Sequence, residues 1–75
     1  MDIKRTTTAE ELLAICRAAR KAGVDIPTIW QEHLKRHPLV LDIPTQLMSA
    51  GQPVISVPLL GGRYLNFHYE EVRLS

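Results

Sequence analysis

The sequence predicts an α+β fold in which two longer helices and a short third helix are followed by a C-terminal β-hairpin. Three observations lead to this prediction: helical spacing of apolar residues in the first half, extended alternation after Pro53, and a Gly61-Gly62 turn. The chain has 75 residues, which is enough for one hydrophobic core but not for two. We therefore expect a single domain over residues 1–75, with residues 1–7 flexible.

The first helix is predicted to begin near Thr8. Thr8 and Glu11 stand three residues apart, the spacing at which each side chain can accept a hydrogen bond from the other's backbone N–H. Apolar residues then recur at helical spacing and include Leu12 and Cys16. Gly23 is the residue expected to end the helix in a left-handed conformation.

The next two helices are predicted from a repeated tetrapeptide. Asp25-Ile26-Pro27-Thr28 returns as Asp42-Ile43-Pro44-Thr45, and an Asp followed by Pro favours a helix start. The second helix is expected from about Pro27 to His37, and the third from about Pro44 to Ala50. Between them, residues 39–41 form either a buried connector or a short strand.

The hairpin is predicted over residues 54–69. A three-residue loop, Leu60-Gly61-Gly62, pairs Val57 with Leu65 and Ile55 with Phe67 on one apolar face. Pro58 lacks a backbone N–H, so its strand is either an edge strand or one that turns the nitrogen of Pro58 outward.

Charge and composition exclude several protein classes. Nine Lys and Arg against eight Asp and Glu give a net charge of +1, too balanced for a histone-like cationic protein. The apolar runs are shorter than a membrane span requires, and the N-terminal residues do not resemble a secretory signal. With a single cysteine, Cys16, disulfide stapling is also excluded. We expect a cytoplasmic protein that does not bind membranes.

No residue pattern predicts catalysis or a cofactor. His33 and His37 have the four-residue spacing of a metal pair, but without further ligands structural histidines are favoured. Cys16 lies on the apolar stripe of helix 1, where a thiol is usually inert. Glu70 and Glu71 are adjacent on a predicted strand and point to opposite faces, so they cannot share a substrate. We expect no enzymatic activity, no cofactor and no metal.

Three helices followed by a two-stranded wing is the element order of a winged helix. The segment Gly62-Arg63-Tyr64-Leu65-Asn66-Phe67, followed by Glu70-Glu71-Val72, resembles the wing of excisionase-type and MerR-type winged-helix proteins. This resemblance implies a small regulatory protein that binds double-stranded DNA. It places Arg63 at the phosphate or minor-groove contact of the wing. It also places Thr45, Gln46 and Ser49 on the major-groove face of the third helix.

The third helix departs from that family pattern because residues 45–52 contain no cation. Neutralisation of phosphates supplies most of the affinity for DNA. In this interpretation the phosphate contacts therefore fall to Lys35, Arg36 and the basic residues of helix 1.

The alternative function is a protein-interaction module. An accessory or inhibitor protein of this size can dock through the edge of its hairpin or pair with itself as a dimer. The contact residues would then be Pro58, Tyr64 and Tyr69. Exposed aromatic residues and an open strand edge favour this alternative, whereas clustered basic residues favour DNA binding.

Overall fold

Two helical segments precede a four-stranded antiparallel sheet in the computed structural model, which describes residues 8–75. The α+β class is confirmed; residues 1–7, predicted to be flexible, lie outside the described range. Helix α1 spans Ala9–Lys21, and helix α2 spans Ile26–Ile29 and continues as a π-helical segment, Trp30–Leu34. The strands lie in the sheet in the order β1-β2-β3-β4, and their bounds are Thr45–Ser49, Gln52–Leu59, Arg63–Phe67 and Val72–Leu74.

Helix α1 begins and ends where the sequence predicts. The hydroxyl of Thr8 accepts a hydrogen bond from the N–H of Glu11 at 3.1 Å, and the Glu11 carboxylate accepts one from the N–H of Thr8 at 2.9 Å. This reciprocal pair satisfies two N–H groups that a helix start leaves free. After the helix, Gly23 adopts a φ of +89°, a conformation that glycine reaches without steric cost.

Helix α2 is confirmed, but it ends earlier than His37. Its start is capped by Asp25, whose carboxylate accepts a hydrogen bond from the N–H of Thr28 at 3.0 Å. Near its end the N–H of Lys35 donates to the carbonyl of Trp30 at 2.7 Å, a bond five residues back that widens the helix into a π turn. The regular α-helix therefore stops at Ile29, and the π-helical segment that continues it stops at Leu34.

The predicted third helix is wrong, because residues 45–49 form strand β1. Thr45 pairs with Ser56, and Leu47 pairs with Val54. The turn into β2 contains Ala50 and Gly51 with φ values of +53° and +82°, and two positive φ values identify a turn that reverses antiparallel strands tightly. With a strand in this place, the winged-helix order is not confirmed, and the C-terminal hairpin is part of a larger sheet.

The pairing of β2 with β3 has the predicted register. Ile55 lies opposite Phe67, and Val57 lies opposite Leu65, so the three-residue loop 60–62 is confirmed. Because β2 lies between two neighbours, the edge-strand alternative for Pro58 is wrong. The carbonyl of Pro58 accepts a hydrogen bond from the N–H of Leu41 at 2.9 Å. N–H and C=O of one strand residue point the same way, so its nitrogen is turned away from β3.

The helices cover one face of the sheet, and the hydrophobic core lies between the two layers. Its buried residues come from both helical segments and from strands β2, β3 and β4: Leu12, Cys16, Ile29, Leu34, Val57, Leu59, Leu65, Phe67 and Val72. Side chains of the opposite parity point to the other face, which we call the open face because no helix of residues 8–75 packs on it. Strand β1 contributes nothing to the buried core.

Candidate functional site

Strand β1 is the edge of the sheet at one end. Ser49 and Gln52 flank its two-residue turn, and residues in that position form a hydrogen-bonded pair. Hydrogen-bonded and non-hydrogen-bonded pairs alternate along antiparallel strands, so the backbone N–H and C=O groups of Gln46 and Met48 are directed away from β2. No strand within residues 8–75 pairs with them.

Exposed apolar side chains concentrate at the same edge. Every residue of β1 is exposed. Eight large hydrophobic residues of the described chain are exposed, and half of them lie in β1 or just before it: Leu41 (58%), Ile43 (68%), Leu47 (52%) and Met48 (65%). We call strand β1 together with Leu41 and Ile43 the β1 edge. Grouped apolar exposure of this kind marks interaction surfaces more often than scattered apolar residues do.

Strand β1 itself also lacks electrostatic protection, because the nearest charge before it is on Asp42. The twenty residues from Ile43 to Gly62 contain no Asp, Glu, Lys or Arg. Soluble proteins usually guard a free strand with lysines or other charges, with an outward-facing proline, or with a covering segment. Neither Gln46 nor Met48 provides such a guard, so the edge can accept another extended strand.

A shallow groove of about 600 Å³ adjoins the β1 edge on the open face. It is lined by residues from all four strands or their ends: Thr45, Leu47, Ser56, Pro58, Tyr64, Asn66 and Ser75. Within it the Ser56 hydroxyl donates to Asn66 Oδ1 at 2.8 Å, and Asn66 Nδ2 donates to Ser75 Oγ at 3.3 Å. This polar row is satisfied internally, so the groove offers chiefly apolar contact beside β1.

The residues predicted to contact DNA do not lie on one helix. Thr45, Gln46 and Ser49 are on strand β1, where Thr45 and Ser49 face the open side and Gln46 faces the opposite side. Lys35 and Arg36 follow the π-helical segment and are exposed. The two sets belong to different elements and do not form the predicted reading surface of a third helix.

Arg63 is at the start of β3 and is half-exposed, but its charge is paired. Its guanidinium lies 3.0 Å from a carboxylate oxygen of Glu10 at the start of helix α1. The hydrogen bond from Arg63 lowers the pKa of the Glu10 carboxyl. Arg63 therefore links the sheet to α1, and a contact to a phosphate would compete with Glu10.

Two of the three residues predicted to contact a partner protein lie together. Pro58 and Tyr64 are opposite each other on β2 and β3 and line the open-face groove. Tyr69 is separate from them, in the exposed turn between β3 and β4. Its carbonyl accepts a hydrogen bond from the Arg20 guanidinium at 2.7 Å.

Two of the titratable residues considered for chemistry, Cys16 and His37, have pKa values shifted by burial. Burial raises the pKa of the Cys16 thiol to about 11, so at neutral pH it is protonated and unreactive. His37 Nδ1 accepts a hydrogen bond from the N–H of Leu39 at 3.1 Å, and burial lowers the pKa of this imidazole. In the described part of the chain, no group of three or more His, Cys, Asp or Glu residues could hold a metal ion.

Sequence reasoning missed the β1 edge because it read residues 44–50 as a helix. Two signals could have found it. Gly51 can supply the positive φ that a two-residue hairpin turn requires, and the uncharged run from Ile43 to Gly62 begins eleven residues before the hairpin that was predicted from residue 54. Together they indicate a third extended segment that pairs with residues 52–56.

Comparison with protein-family models, with curated proteins and with solved structures finds no match for this chain. Among residues 8–75, no helix has the length and apolar character needed to cross a membrane.

Proposed function

We propose that the chain is a protein-interaction module that docks through the β1 edge. The observation that carries this proposal is the unpaired, uncharged outer side of β1, where the backbone groups of Gln46 and Met48 face away from the sheet. Added strands bind through such backbone groups, and side chains beside them provide specificity. Leu47 and the open-face groove supply apolar contact next to this edge.

Apolar exposure supports the same surface. Leu41, Ile43 and Met48 are more than half exposed, and an extended partner along β1 would remove part of their surface from water. Each 100 Å² of apolar surface buried in this way contributes about 2.5 kcal/mol before the costs of association. Backbone pairing and apolar burial thus act at one place.

DNA binding stays a prediction with weaker support. Its proposed base contacts, Thr45, Gln46 and Ser49, are on an uncharged strand. The cation of Arg63 is engaged by Glu10. A DNA-binding surface needs clustered cations to neutralise phosphates, and the β1 edge has none.

The docking proposal can be tested by photo-crosslinking in the cells that naturally produce this protein. Met48 is replaced by p-benzoylphenylalanine, and the matched control carries the same residue at Leu60, which is similarly exposed but lies in the β2–β3 loop. Docking at the β1 edge predicts an adduct of defined mass at position 48 and little or none at position 60. Equal adduct yields at both positions, or none at position 48, would refute the proposal.

A second variant tests whether that adduct depends on hydrogen bonding to the backbone of β1. Gln46→Pro removes an N–H that points away from β2, a position where a strand tolerates proline, whereas Gln46→Ala removes only the side chain. We expect Gln46→Pro to abolish the position-48 adduct and Gln46→Ala to keep it. Urea unfolding of both variants checks that the fold is retained. An adduct that survives Gln46→Pro would show that the partner does not pair with β1.

A further inference from the structure

The partner of the β1 edge can be inferred from the edge itself. An antiparallel strand pair formed about a twofold axis uses the same residues from each chain, so it requires an edge that is complementary to itself. A charged edge would meet its own charge across the axis. The β1 edge has no charge from Ile43 onward, so two copies approach without repulsion, and no charge selects a partner of opposite sign.

One register satisfies the backbone groups of both copies. If Gln46 of one copy lies opposite Met48 of the other, the outward N–H and C=O groups of these residues face each other and form about four hydrogen bonds. The same register places Leu47 on the twofold axis. It also sets Thr45 opposite Ser49, a pair of hydroxyl side chains that can hydrogen-bond across strands.

This register also covers Ile43, one of the two exposed apolar residues just before β1. Because the strands run in opposite directions, the hairpin tip of one copy, at Ala50 and Gly51, comes beside Ile43 and Pro44 of the other. Met48 then has neighbours from the second chain on its own side of the sheet. Backbone pairing and coverage of Ile43, Leu47 and Met48 are therefore achieved together.

We propose that β1 pairs antiparallel with β1 of a second copy about a twofold axis through Leu47, joining two four-stranded sheets into one continuous sheet. This inference rests on the proposed docking at the β1 edge and names its occupant. The contact involves the five residues of each strand and the flanking residues 43–44 and 50–51, which places it at the small end of protein–protein interfaces. We expect such a small contact to give a weak dimer, with a dissociation constant on the order of 1–100 μM.

Leu47→Cys tests the register directly. Residues on the axis form a non-hydrogen-bonded pair with Cα atoms about 4.5 Å apart, which falls within the roughly 4.4–6.8 Å range of disulfides. We expect mild oxidation at about 100 μM protein, within the expected dissociation range, to convert most of this variant into a disulfide-linked dimer. Leu60→Cys is the control, with similar exposure far from the axis, and it should remain largely monomeric. Cys16 is buried and common to both variants. Equal rates of cross-linking in the two variants would overturn the register.

Sedimentation equilibrium tests the dimer without a new thiol. The unmodified chain should pass from monomer to dimer as its concentration rises from about 1 to about 500 μM, a range that spans the expected dissociation constant. Leu47→Lys places two ammonium groups at the axis and should remain a monomer, whereas Leu60→Lys should still dimerise. A chain that stays monomeric throughout, or a dimer that survives Leu47→Lys, overturns the proposal.

The two proposals can fail separately. If the chain is monomeric but the position-48 adduct forms and disappears with Gln46→Pro, the β1 edge binds a different protein and only the inference of self-pairing falls. If the chain is monomeric and the adduct is absent as well, docking at the β1 edge is wrong and both proposals fall.

Discussion

The sheet ends in two edge strands, β1 and β4, which differ in how far other parts of the chain cover them. Helix α1 packs against β4, and the Arg17 guanidinium donates a hydrogen bond from Nε to the carbonyl of Val72 at 2.9 Å. Val72 is buried in the core. By contrast, β1 is exposed on both faces and has no covering segment within residues 8–75.

The two edge strands also differ in charge, since charged residues lie on and beside β4 but not on β1. Glu71 and Arg73 form an ion pair of 2.7 Å on and beside β4, and the hydrogen bond from Arg73 lowers the pKa of the Glu71 carboxyl. Strand β1 has no charge at all. The same sheet thus has one edge that is partly covered by helix α1 and beside which charges lie, and one that is open. This difference in coverage is the reason for placing the proposed docking surface at β1 rather than at β4.

The largest expected effect is the difference in the free energy of unfolding between a substitution in β4 and a substitution in β1. Val72→Ala removes buried methyl groups and should lower the free energy of unfolding by about 2 kcal/mol. Leu47→Ala, on the exposed β1, should change it by less than about 0.5 kcal/mol. Urea unfolding of both variants at a concentration where the chain is monomeric measures this difference. Similar losses in the two variants would mean that β1 is held in the core as firmly as β4.

A smaller effect is expected from removing the bond that closes β4. Arg17→Met keeps most of the apolar stem but leaves the Val72 carbonyl without its donor, and should cost about 1 kcal/mol. Lys21→Met is the control, because Lys21 is in the same helix and has no hydrogen-bond partner among the residues described. If the two variants have the same urea midpoint, Arg17 does not protect the β4 edge.

The smallest expected effect is a gain in stability of the β1–β2 hairpin when Ala50 is replaced. Ala50 has a positive φ of +53°, which is unfavourable for alanine, whereas Asn tolerates it and Asn-Gly is the preferred pair in such turns. Ala50→Asn should stabilise the β1–β2 hairpin by about 0.5 kcal/mol. Slower amide hydrogen exchange at Leu47, whose N–H points toward β2, would show this gain. Unchanged or faster exchange at Leu47 would contradict the turn assignment.

Much of the fold was predictable where the signal is local. The capping pair of Thr8 and Glu11 identified the start of α1, and side-chain alternation around residues 60–62 identified the register of β2 with β3. Both depend on residues that contact each other within a short stretch of chain. The candidate site was less predictable. Pro58 and Tyr64 were predicted as partner contacts and do lie together, but the β1 edge was hidden by the predicted third helix.

The repeated tetrapeptide shows what the sequence by itself determined and what only the tertiary structure decided. At Asp25-Ile26-Pro27-Thr28 the local chemistry is sufficient: the Asp25 carboxylate caps the N–H of Thr28, and a helix follows. At Asp42-Ile43-Pro44-Thr45 the same residues lead into a strand, and the Asp42 carboxylate accepts from the N–H of Ile43 instead.

The two tetrapeptides have different outcomes because different residues lie next to each of them. The helix that follows the first copy buries Ile29 and Leu34 in the core. The residues after the second copy gain the backbone groups of β2, because the turn at Ala50-Gly51 folds residues 45–49 onto residues 52–56. Hydrogen bonding to a neighbouring strand outweighs a helix-start preference of about 1 kcal/mol. The sequence determined where α1 and α2 begin and where β2 turns into β3, and tertiary pairing decided that residues 45–49 became the open edge strand.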